Sequence, residues 1–209
     1  MKKILILVMC IAVILPTVSF AEKKAEPFSF RNAVANGMIT NANSKVESAI
    51  YDSLDTFTQR YNNSLKIETD MYSPAYFLKN LAPQDFKLNL ERGTAAYYGS
   101  HQSSEGYIIV VTFDEKYAIK SADSSFWMTG IRDSEIGAQI MQNMLVCFMC
   151  TANGIDEEFT DAQKYDYLDT IVSNTNWEIG VVDAVYNDYE YDNYISHALE
   201  VYGVVITKK

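Results

Sequence analysis

Residues 107–113 read Tyr-Ile-Ile-Val-Val-Thr-Phe, and Asp114-Glu115-Lys116 follows directly. Every side chain in the run is β-branched or aromatic, the kind that fits a pleated, half-buried surface. The charged triplet after it reads as a turn, so Tyr117 to Lys120 is expected to pair back. Upstream, Phe86, Leu88 and Leu90 alternate with Lys87, Asn89 and Glu91, a period of two. Gly93 marks a bulge, Thr94 to Tyr98 continues extended, and His101 to Gly106 is a polar loop. Downstream, Ser125 to Thr129 reads as a further strand. The whole stretch predicts an antiparallel meander.

Helical periods flank the meander. Ser44 and Glu47 form an S-x-x-E capping box, in which each side chain can satisfy a backbone N–H of the first turn. Val46, Ile50, Leu54, Phe57 and Tyr61 then recur three or four residues apart, which predicts a helix from about Lys45 to Asn62. Asn62-Asn63 is expected to end it. Ser73-Pro74 predicts a short helix to Leu81. After the meander, Asp133 or Ser134 caps a second long helix reaching about Ala152. Its second half, Leu145 to Cys150, is apolar all round, as expected of a helix buried in the core. Asn153-Gly154 is expected to stop it. Thr160 and Gln163 make another capping box, for a third helix to about Val172 with Tyr165, Leu168 and Ile171 or Val172 inward. The tail is β again: Val181 to Tyr191 and Tyr194 to Thr207, with Asp192-Asn193 as the hairpin turn. This order predicts an α+β fold, an antiparallel sheet of about five to six strands with helices packed on one face.

Met1-Lys2-Lys3 is a short basic start, and Ile4 to Leu15 is an apolar run. Pro16 breaks the run, and Ser19-Phe20-Ala21 sets small residues at −3 and −1. This reads as a secretory signal peptide of bacterial style, 1–21, cut after Ala21. The run is too short for a bilayer span, which takes about 20 residues. A lipoprotein signal would need small residues before Cys10, and Met9 stands there. Residues 22–43 are expected to form an extended N-terminal arm, and 44–209 a single α+β domain. The expected location is periplasmic or secreted.

The segment Phe28-Ser29-Phe30-Arg31-Asn32, with Val34 and then Gly37-Met38, resembles the start of many uncharacterised small secreted α+β proteins of anaerobic gut bacteria. Those often read F-x-F-R-N-G-I-x-W-G-M directly after the leader. Ala33 stands here for the glycine and Asn36 for the tryptophan. The order of meander, buried helix, short helix and Tyr-rich hairpin is also similar. The resemblance assigns no catalytic residue.

The chain of 209 residues carries a net charge of −10, and losing Lys2 and Lys3 makes it more negative. That opposes unaided binding to nucleic acid or anionic membranes, which needs a basic patch. Outside the leader only Cys147 and Cys150 remain, too few for a disulfide framework. Their C-x-x-C spacing is that of a redox pair, yet such pairs sit at helix N-termini, where the thiolate is stabilised. Here they fall near a helix C-terminus, and core thiols or a quiet structural bridge fit better. Asp156-Glu157-Glu158 and Asp161 suit the start of the third helix. Read as a calcium loop with Gly154 as its glycine, the segment puts Met149 and Thr151 at ligand positions and fails. Asp188 and Glu190 on the tail hairpin are candidates for a weak Ca²⁺ site or a carboxylate pair, against the simpler reading of a solvated face.

The final hairpin gathers Tyr186, Tyr189, Tyr191 and Tyr194 beside those acids. Aromatic and acidic groups together can bind sugars or peptides, and tyrosine is also a favoured strand residue. Ser100-His101 is no catalytic dyad, since neighbours on an extended chain face opposite ways. His197 is placed on the apolar face of the last strand. There is no G-x-S-x-G elbow, phosphate loop, dinucleotide fingerprint or zinc-protease motif. The leading expectation is a secreted, non-enzymatic binding protein for a protein, peptide or glycan, acting through a Tyr-rich acidic β surface and needing no cofactor or metal. The alternatives are a secreted hydrolase with a carboxylate acid/base pair and a thiol-redox protein using Cys147 and Cys150.

Overall fold

A computed structural model describes residues 41–72, 78–100, 106–127, 134–174 and 183–209, except 199. The leader, the arm with Phe28 and Phe30, His101, and the start of the Ser73-Pro74 helix lie outside these residues. From Lys45 to Lys209 the chain forms one compact unit.

Three helices and seven strands make up the described chain. Helix α1 is Asn41–Tyr72, α2 is Ser134–Ile155 and α3 is Asp161–Asn174. The strands are β1 (Lys87–Asn89), β2 (Thr94–Ser100), β3 (Gly106–Phe113), β4 (Ile119–Trp127), β5 (Ala184–Tyr186), β6 (Tyr189–Ser196) and β7 (Val201–Lys208). All pairings are antiparallel, in the order β1-β2-β3-β4-β7-β6-β5. The N-terminal meander and the C-terminal one therefore join at β4 and β7. The α+β reading holds, with one strand more than expected.

The predicted helix faces hold and extend. Ile50, Leu54, Phe57 and Tyr61 are buried, and the stripe continues through Leu65 and Glu68. Asn62 does not stop α1. Its amide donates to the Leu81 carbonyl and accepts from the Leu81 N–H, both at 2.8 Å, so a tertiary partner satisfies the group that would otherwise compete with the helix. Residues 78–82 carry no helix.

Nor does Asn153-Gly154 end α2. Asn153 bonds back to the Met149 carbonyl, and Gly154 is a point of close approach: a Cβ there would lie 2.5 Å from the Phe57 ring of α1. The apolar half of α2 is buried between α1 and the sheet, as expected. In α3 the inward residues are Lys164, Tyr167 and Ile171, while Tyr165 is exposed. The expected face was therefore rotated, because Lys164 finds a buried carboxylate partner.

The helices cover one face of the sheet. That face presents Ala95 and Tyr97, then Tyr107, Ile109 and Val111, then Ala122, Ser124 and Phe126, then Tyr202, Val204 and Ile206. Aromatic rings run through it in contact: Phe86, Tyr97, Tyr107, Phe126, Phe148 and Tyr202, with Tyr107 and Phe126 stacked at 5.0 Å. No helix among the described residues is long and apolar enough to cross a membrane.

Strand boundaries differ from expectation in the tail. Asn187-Asp188 is the hairpin turn, and Asp192-Asn193 lies inside the unbroken strand β6. His197 belongs to the next turn and is exposed, not on an apolar strand face. The β3–β4 turn keeps its predicted place, with Asp114 accepting from the N–H of Lys116 and Ala118.

Candidate binding surface at the sheet edge

The β5–β6 hairpin closes the sheet at one edge. Asn187 takes a left-handed φ of 51°, a conformation asparagine tolerates better than most residues. Its amide donates to Asp156 Oδ2 at 2.8 Å and accepts from Gln163 at 3.0 Å. Gln163 also completes the capping box with Thr160, as its spacing predicts. Asp156 is buried and further accepts from the Glu158 N–H. The hairpin is thus pinned to the α2–α3 connection by polar groups far apart in sequence.

The tyrosines divide between the two faces. Tyr186, Tyr189 and Tyr191 turn toward the helices. Tyr186 donates to Asp166 at 2.7 Å, and Tyr189 donates to the Ile155 carbonyl at the end of α2. Tyr191 is fully buried among Phe159, Tyr167 and Tyr186. Burial raises all three phenols above their ordinary range, and the nearby Asp166 and Asp156 carboxylates push the same way for Tyr186 and Tyr191 respectively. They are neutral at any physiological pH.

Tyr194 lies on the opposite face. Its hydroxyl donates to Asp123 Oδ1 at 2.9 Å, and the Ser125 hydroxyl, which lies against it, donates to the same oxygen at 2.8 Å. Nothing in the sequence pattern singles out Asp123 or Ser125. Their positions two apart on β4, level with Val205 and Gly203 of β7, become meaningful only through the register.

Of the acidic candidates, Asp188 sits in the turn and Glu190 on the face that carries Val185. Both are exposed. Val185, which the sequence reading did not single out, is 54% exposed. Tyr186 and Tyr189 close the two-residue turn, so the Val185–Glu190 pair is of the non-hydrogen-bonded kind. The backbone N–H and C=O of Val185 accordingly point away from β6, to the outer edge. Asp183 and Asp188 are exposed on either side of β5, and Lys208 sits 5.9 Å from the Tyr189 ring.

Cys147 and Cys150 are free and fully buried. Burial pushes the Cys147 thiol up to about 11 and the Cys150 thiol well above its ordinary value, the environment of an inert thiol. Among the described residues no group of three or more His, Cys, Asp or Glu could hold a metal ion.

Fold and edge together define an α+β domain whose antiparallel sheet ends in an acidic hairpin. Comparisons with known protein families, with curated proteins and with solved structures give no match to this chain.

Proposed function

We propose that the chain is an exported, non-enzymatic binding protein that engages a protein, peptide or glycan through the outer surface of the β5–β6 hairpin. Export rests on the leader pattern of Met1 to Ala21 and places the protein in the periplasm or the medium. The observation that carries the binding site is Val185: an exposed apolar side chain on an edge strand, its backbone groups turned outward, beside Glu190 and between Asp183 and Asp188. An outward edge can add a partner's extended segment through main-chain hydrogen bonds, with neighbouring side chains setting the preference. The surrounding acids favour a neutral or basic partner and oppose nucleic acid. The tyrosines hold the hairpin in place through their ring contacts and hydroxyls, so the contact surface is more acidic and less aromatic than the sequence implies.

A thermal-shift screen tests this on the purified chain, with Ca²⁺, cell-wall glycans, host glycans, and short basic and acidic peptides as probes. A ligand at 100 times its dissociation constant adds about 2.7 kcal/mol, worth several degrees in a domain of this size. The reading expects such a shift with a peptide or glycan, lost in Val185→Lys. A shift that survives both Val185→Lys and Glu190→Lys moves the site elsewhere. No shift with any probe overturns small-ligand binding at this edge.

A further inference from the structure

We propose that Cys147 and Cys150 are a redox lock on the fold: the helical layer packs only around the two thiols, so native packing and a Cys147–Cys150 disulfide exclude one another. This stands apart from the binding reading and from export.

The two cysteines are three apart on α2, so their Cβ atoms lie on one helix face ~5–6 Å apart. A disulfide brings Cβ atoms to about 3.8 Å. The α2 backbone would have to deform by the difference, in an interior packed as densely as an organic crystal. The surroundings hold the sulfurs in place. Cys147 Sγ lies 3.3 Å from Ser124 Oγ on β4 and accepts from the Tyr61 hydroxyl on α1 at 3.7 Å. Cys150 is fully buried near Ser64 on α1, and the charges of Glu68 of α1 and Lys164 of α3, which pair at 3.1 Å, act on it. All three helices and a central strand therefore meet at the dithiol. Swinging Cys147 toward Cys150 takes its sulfur from Ser124 and Tyr61 and leaves two buried hydroxyls short of a partner.

Access points the same way. Both thiols are fully buried, and burial keeps them protonated, whereas the attacking species is the thiolate. Oxidation by a disulfide reagent thus proceeds from an opened chain. One thiol loses its proton, and its sulfur attacks the reagent and releases one reagent thiolate. The second thiolate then attacks the mixed disulfide and releases the other. The two cysteines give up two protons and two electrons, and the reagent disulfide becomes two thiols. A chain that folds first keeps its thiols, and one oxidised first cannot repack its helical layer.

Oxidised glutathione is the probe. The full chain carrying Cys10→Ala, so that Cys147 and Cys150 are its only thiols, is incubated with it at pH 8, either in buffer or in urea above the unfolding midpoint. Samples are acid-quenched, freed of glutathione, labelled with a maleimide in urea at neutral pH so that buried thiols also react, and weighed for free thiols. The unfolded chain should lose both thiols, and the folded chain should lose them at least about a hundredfold more slowly, because a stable domain opens rarely. The oxidised chain, returned to buffer, should show a lower urea midpoint and weaker near-ultraviolet dichroism, both restored by a dithiol reductant. A bridge forming in the folded chain within about tenfold of the unfolded rate overturns the proposal, and so does an oxidised chain with an unchanged or higher midpoint. Cys147→Ala/Cys150→Ala, given the same treatment, should keep its own midpoint. A loss there would trace the effect to glutathione chemistry elsewhere and sink the proposal. Should that variant not fold, wild type carried through the same steps without glutathione is the reference.

Discussion

The ammonium of Lys164 lies 3.1 Å from Glu68 Oε1, with both side chains less than a tenth exposed. A second carboxylate, Asp161, stands at 3.1 Å from the solvent side. The pair ties α3 to the C-terminal half of α1. Removing one member of a buried pair strands the other, at a cost of ~3–5 kcal/mol. Glu68→Ala is therefore expected to lower the unfolding free energy by about 3 kcal/mol, since Asp161 retains part of the interaction. Glu68→Gln, which keeps an acceptor, should cost less. Urea melts of the three proteins check this.

The same pair sets a pH dependence. Burial alone would lower the Lys164 ammonium, but hydrogen bonds and attraction from Asp161 and Glu68 outweigh it and hold it above its ordinary 10.5. A group raised on folding stabilises fully below its unfolded value and loses that contribution as pH rises through the folded one. Stability owed to Lys164 should be flat through neutral pH and fall only in strong alkali. Melts of wild type and Lys164→Met from pH 7 to 11 should differ by a constant amount up to about pH 10 and only begin to converge above it. A difference between them that grew with pH would refute the assignment.

Gly203 and Tyr194 form a second dependency. A Cβ at Gly203 would lie 2.4 Å from Tyr194 Cζ and 3.0 Å from the Ser124 carbonyl oxygen. The ring cannot move freely, because its hydroxyl is held by Asp123 and Ser125. Gly203→Ala is expected to cost ~1–3 kcal/mol by overpacking. In a Tyr194→Ala background the penalty should shrink, and a double-mutant cycle measures the coupling.

Such dependencies mark what the sequence makes legible and what it leaves hidden. The run from Tyr107 to Phe113 and the stripe Ile50, Leu54, Phe57, Tyr61 carry their periods on their face, and each appears as read. Turns in the tail do not. Asp192-Asn193 and Asn187-Asp188 are chemically almost the same signal, and the choice between them falls to Asp156 and Gln163, which grip Asn187 from outside the hairpin. Tyr165 and Tyr167 are equally apolar in composition, and the buried Glu68, which takes Lys164, and Asn193, which takes the Tyr167 hydroxyl, hold that face inward. The tyrosines of the hairpin pose the same problem. Composition records that they are there, while partners 20 or more residues away decide which face the helices.

Tyr191 and Tyr167 make a matched test of buried hydroxyls. Both rings are fully buried and in contact at 5.1 Å. The Tyr167 hydroxyl donates to Asn193 Oδ1 at 2.8 Å, whereas the Tyr191 hydroxyl is buried without a hydrogen-bond partner. A stranded polar group costs ~1–3 kcal/mol, so Tyr191→Phe should leave stability unchanged or raise it by about 1 kcal/mol. Tyr167→Phe should lower it by a similar amount, because Asn193 loses its donor. Equal destabilisation of the two in urea melts would show that Tyr191 has a partner after all.

Asn187 serves the backbone and the side chain at once, and two substitutions separate the roles. Alanine at φ 51° pays the left-handed penalty of ~1–2 kcal/mol and also leaves Asp156 without its amide donor. Glycine adopts that φ freely and loses only the side-chain bonds. Asn187→Gly should therefore be the milder of the two, with the gap between them near the backbone penalty. Because β5 is joined to the sheet, among the described residues, by this turn and its pairing with β6, both variants should also raise amide exchange at Val185 before any global change. Exchange unchanged at Val185 alongside a lowered global midpoint would place the anchoring of the edge in Tyr186 and Tyr189 rather than in the turn.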